Sequence, residues 1–173
     1  MSNFHPMIVH FPIALIFVAF AIDLLGKILK REKLLYAGTV VTLFAAAGAL
    51  AAVISGLVAE DTGWHPASVG EMLETHELMG FITLGLVAVM TIVRLALHDK
   101  LKGTIGWLPV IIGGLAIVFV SYGGYLGGEM VYTHGAGVKA SENCAKAKID
   151  SEDKTKTPQQ SDEIPTDEHD DIN

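Results

Sequence analysis

The chain has 173 residues, of which 51% are hydrophobic, a net charge of −7 and a mean hydropathy of +0.46. Its charges avoid four long apolar stretches and gather between them and at the C-terminal end. That pattern excludes an ordinary soluble globule and indicates a polytopic membrane protein. No basic stripe marks a nucleic-acid surface. The single cysteine, Cys144, excludes an internal disulfide, a covalently attached haem and a Cys-ligated iron–sulfur or zinc centre.

The first apolar run predicts a membrane helix over residues 7–25. Pro12 falls in its first turns, where a missing backbone donor is tolerated. No Lys or Arg precedes the run, so this span is expected to stay in the mature protein. The run is entered through Phe4-His5-Pro6-Met7-Ile8-Val9-His10-Phe11-Pro12. A histidine in or at the edge of a span is costly without a partner, so His5 and His10 are candidate site residues.

A second span is expected over 34–58, where Gly48, Ala52 and Gly56 share a face and permit close helix packing. The connection from Ala59 to Thr75 carries Glu60, Asp61, His65, Glu71 and Glu74, and a turn-like Gly63-Trp64-His65-Pro66. A third span is expected over 76–97, with Thr75 as its N-cap. The fourth runs over 105–126, with two interleaved Gly-x-x-x-Gly pairs at 123/127 and 124/128. Residues 1–138 thus read as an all-α domain of four transmembrane helices. Residues 139–173, acidic and poor in apolar side chains, read as a disordered extracytoplasmic tail.

The seven Lys and Arg outside the tail all lie at the first and third connections, Arg94 being near the end of span three. The positive-inside rule then predicts both termini and the second connection outside. His5, His10, His65, His76, Glu129 and His134 fall on that outer side. Counting up the helices at ~1.5 Å per residue, His10 and His76 are the best-matched pair. Glu129 comes next, and His134 joins them only if the glycines at 123–128 bend span four.

Three roles compete. In one, His10 and His76 hold a b-type haem between helices, with Phe11, Phe81 and Tyr125 as walls, and the protein passes electrons. In another, His5, His10, His76, Glu129 and His134 offer ligands to copper or zinc. In the third, these groups bond only to one another in a membrane scaffold or anchor. No nucleophile–base–orienter set is present, so electron transfer or binding is expected rather than catalysis. At the inner side, Asp23 and Arg94 interrupt apolar runs and are expected to form a structural ion pair between spans one and three.

His5-Pro6-Met7-Ile8-Val9-His10-Phe11-Pro12-Ile13-Ala14-Leu15 resembles the opening of the bacterial membrane family called domain of unknown function 2231. Asp23, Thr75-His76 and the run from Gly123 to Val138 are also similar to it, with Met130 where that family usually has Leu. The resemblance implies four transmembrane helices in a bacterial plasma (inner) membrane. It also implies a lipid bilayer as the surroundings and redox membrane or periplasmic proteins as partners, because some relatives are joined to cytochrome-c-like or Rieske-type domains.

Overall fold

A computed structural model describes residues 4–97, 101 and 103–156. Among these residues the fold is all helical. In lipid a backbone must satisfy its own hydrogen bonds, so long apolar runs become helices. They are α1 (His5–Ile28), α2 (Glu32–Thr62), α3 (Gly70–Ala96) and α4 (Trp107–Tyr132). All four are long and apolar enough to cross a membrane. Short 3-10 turns at Ala67–Val69 and Thr104–Gly106 precede α3 and α4.

Most of the helices extend past their apolar runs. Hydropathy marks only the part immersed in lipid, whereas helical hydrogen bonding continues into the polar interface. Thus α3 starts at Gly70, and Thr75 is not its cap. The Thr75 hydroxyl donates to the Glu71 carbonyl inside the helix, at 2.9 Å. Likewise α4 runs unbroken through Gly123, Gly124, Gly127 and Gly128, so the expected bend that would fold His134 back is absent.

α1 packs on α2 and α4, and α3 packs on the same two helices, so α1 and α3 oppose each other across the bundle diagonal. The core between them is built of small and branched residues: Ile16, Ala45, Val87 and Ala116 are buried. With no hydrophobic gain available between helices in lipid, close backbone approach and dispersion hold such a core. Buried Pro12 uses this closeness. A Cβ added to Gly48 of α2 would sit 3.2 Å from Pro12 Cβ and 3.0 Å from a Phe11 ring carbon. Threonines inside the spans satisfy themselves, with Thr42 donating to the Gly38 carbonyl and Thr83 to the Met79 carbonyl, both at 2.8 Å.

Asp23 of α1 and Arg94 of α3, each 1% exposed, form an ion pair across the diagonal. Arg94 Nη1 also donates to Thr39 Oγ1 at 2.9 Å and to the Leu35 carbonyl at 3.2 Å. Gly38 makes room for the pair: an added Cβ would collide with Asp23 Oδ1 and lie 3.1 Å from Arg94 Nη2.

Residues 139–173 cluster as a separate unit. The irregular tail expected there is instead helical over Lys139–Lys156 (α5). A lack of apolar residues denies a segment a core but not a helix, and Ala, Lys and Glu are strong helix formers. An i,i+4 contact between Glu142 and Lys146, 2.6 Å, supports it. Cys144 is exposed on this helix. Residues 157–173, with the rest of the expected tail and His169, lie outside the described residues, as does His98.

Candidate functional site

At the end of the bundle where α1 begins, the structure brings His5, not His10, to His76. Their ring centroids are 6.3 Å apart with the planes at 90°. Rise along the helices does not choose between the two: at 1.5 Å per residue His5 is about 35 Å and His10 about 27 Å above the far end of α1, and His76 is about 30 Å above that of α3. The helix face decides, because His5 turns inward to Ser55 of α2. In fact His10 is exposed and its Nδ1 hydrogen-bonds the Pro6 carbonyl one turn back in its own helix.

All four helices shape the pair. His5 Nδ1 lies 2.9 Å from Ser55 Oγ of α2, and Ser55 Oγ donates onward to the Ala52 carbonyl at 3.0 Å. His76 Nδ1 lies 2.8 Å from the Gly123 carbonyl of α4. Two glycines give the rings their space. A Cβ on Gly56 would sit 3.1 Å from His5 Cε1, and one on Gly127 would sit 3.2 Å from His76 Cε1. The helix-packing face read at Gly48, Ala52 and Gly56 is therefore also the wall of the histidine site. Ser55 was missed by sequence reasoning, because a serine next to a small-residue stripe reads as packing.

A carbonyl only accepts, so His76 Nδ1 carries a proton. The Ser55 hydroxyl, donating to the Ala52 carbonyl, presents its oxygen to His5 Nδ1. In both bonds Nδ1 is the engaged nitrogen. Anchoring of one ring nitrogen by a carbonyl or hydroxyl is the arrangement that orients metal-binding histidines. Two imidazoles sharing one ion at N–metal lengths of ~2 Å place their centroids roughly 5–6.5 Å apart, which includes the separation here.

The other expected ligands do not join. Glu129 and His134 are half-buried, and no hydrogen bond, ion pair or ring contact among the described residues links them to the pair. His65 is exposed in the connection after α2. Among the described residues no three His, Cys, Asp or Glu side chains form a metal-holding group. Phe11, Phe81 and Tyr125 are 55%, 45% and 63% exposed; they lie on outward faces and do not wall an internal slot.

The segment after α4 closes this end. Gly135 and Gly137 adopt φ of 69° and 72°, open without cost only to glycine. Ala136 N–H returns to the Met130 carbonyl at 2.9 Å, and Gly137 N–H donates to the Trp64 carbonyl at 2.8 Å, joining this segment to the α2–α3 connection. His134-Gly135-Ala136-Gly137 is thus a capping device and not part of the ligand pair.

Four helices long and apolar enough to cross a membrane define an integral membrane protein. Residues 1–140 match the family described as "predicted membrane protein (DUF2231)", and the chain belongs to it. No characterised protein and no solved structure matches the chain.

Proposed function

We propose that this is a metal-binding module of the membrane, in which His5 and His76 give two imidazole nitrogens to one transition-metal ion, copper before zinc, near the face that the positive-inside rule places outward. What supports this reading is the approach of two imidazoles from opposed helices, each held through Nδ1 by an oxygen of a neighbouring helix. Two nitrogen donors without a third converging side chain suit copper better than zinc, whose structural sites use four protein ligands and catalytic sites three. When bound, copper would supply a one-electron centre. The chain's own residues hold and orient the rings: Ser55 and the Gly123 carbonyl fix the donors, and Gly56 and Gly127 admit them. Such a site serves electron transfer or metal handling rather than catalysis of a substrate.

Axial ligation of b-type haem by the same two histidines is the second reading. It is favoured by the number of ligands, two, and by their origin on diagonal helices. The absence of Phe11, Phe81 and Tyr125 from an internal wall counts against it. A scaffold role, with the histidines bonded only within the protein, is the third.

The protein purified in mild detergent, after growth with ample copper and haem supply, separates the readings. The expected result is copper bound in equal molar amount, lost in His5→Ala and His76→Ala and kept in His10→Ala. A Soret band that changes on dithionite reduction would replace copper by haem. Metal content no higher than in the His76→Ala variant, with no Soret band, would overturn both and leave the scaffold.

A further inference from the structure

The opposite end of the bundle holds a groove of about 510 Å³ where α1 ends and α2 and α4 begin. Lys27 and Lys30 line it from the α1 side, with Glu32 from α2 and Thr104 and Trp107 from the start of α4. We propose that this groove binds the phosphate headgroup of an anionic phospholipid.

Charge is the first reason. Lys30, Arg31 and Lys33 are exposed, and no hydrogen bond or ion pair engages their side chains among the described residues. Among the described residues of the lining, Glu32 is the single carboxylate, set against Lys27 and Lys30. Lys27 has a different task. Its ammonium reaches the carbonyls of Gly103 at 2.7 Å and Leu101 at 3.3 Å, clamping the approach to α4 onto α1. Gly106 permits that reach, since an added Cβ would lie 2.7 Å from Lys27 Nζ.

Backbone strain at Lys30 is the second reason. α1 ends with Arg31 N–H donating to the Gly26 carbonyl at 2.9 Å, a closure that puts residue 30 in the left-handed region. That position ordinarily belongs to glycine, yet Lys30 occupies it at φ 51°, the sole non-glycine residue with positive φ among the described residues. Such strain persists where the side chain has a use, and here the side chain lines the groove.

The surroundings select a lipid over free phosphate. Ile28, Leu29, Ile105 and Leu108, chain neighbours of lining residues, are 59%, 56%, 44% and 41% exposed and offer apolar surface to acyl chains. Trp107, 43% exposed, has the amphipathic ring that favours headgroup depth. A basic pocket between helices at the membrane surface is the setting in which anionic headgroups bind.

The test is melting of the full chain in mild detergent, titrated with phosphatidylglycerol, phosphatidylcholine or inorganic phosphate, together with lipid retention by native mass spectrometry. Phosphatidylglycerol is expected to raise the melting temperature and be retained, phosphatidylcholine to do neither, and inorganic phosphate to compete weakly. Lys30→Gly relieves the strain, so without lipid it should melt at or above the parent temperature. Its phosphatidylglycerol affinity should be about five-fold weaker, the worth of one lysine near an anionic surface. Equal effects of the two lipids, or unchanged lipid affinity in a folded Lys30→Gly, would overturn the proposal. Inorganic phosphate that stabilises as much as phosphatidylglycerol and displaces it would overturn the lipid as occupant.

Discussion

Replacing Arg94 by Met tests what fixes the bundle diagonal. Arg94 and Asp23 are each 1% exposed, so neither can turn to water when its partner is removed. The variant loses the ion pair and the bonds from Nη1 to Thr39 Oγ1 and the Leu35 carbonyl. The Leu35 carbonyl keeps the Thr39 hydroxyl as a donor at 3.1 Å, so its loss is small. The dominant cost is the Asp23 carboxylate, left buried without a counter-charge. Breaking a buried pair on one side costs about 3–5 kcal/mol. For a domain of this size that lowers the melting temperature by roughly 10–15 °C. The double variant Asp23→Leu with Arg94→Met removes both charges and fills the space with apolar groups. It should recover at least half of the loss, because an intact buried pair is worth little more than well-packed apolar residues. Thermal melts of the parent, both singles and the double in one detergent measure this. Arg94→Met melting within about 2 °C of the parent, or a double variant as damaged as the sum of the singles, would refute the reasoning.

Gly38→Ala should act on the same pair from the third side: its Cβ meets Asp23 Oδ1 and the guanidinium, so a loss of about 1–3 kcal/mol is expected, read as a lower melting temperature that the Asp23→Leu, Arg94→Met background largely cancels. Ser55→Ala keeps both imidazoles but frees the His5 ring, and metal affinity measured by competition with a chelator should fall about 10–100-fold. Gly127→Leu places bulk against His76 and should abolish metal binding while α4, helical either way, keeps its circular dichroism. Acid should release the metal, because protons compete for the same imidazole nitrogens; binding strong at about pH 7.5 and weak at about pH 5.5 is the expected profile, and a flat one would argue against imidazole ligands.

The number of spans, their approximate places and the confinement of charge to two ends follow from the sequence alone, since lipid forces apolar runs into helices and charges out of them. The same reasoning singled out Asp23 and Arg94, because an ionisable residue in a span needs a partner and the chain offers few. Local order in the tail segment was hidden by composition, which measures burial and not helix propensity. Which histidines meet was decided only by the tertiary structure. Depth along α1 leaves His5 and His10 nearly equal matches to His76, and the choice rests on which of them faces α2, which hydropathy does not record. The roles of Gly38, Gly56, Gly127 and Ser55 depend likewise on what stands opposite each of them across the bundle, and spacing along one helix carries no record of that.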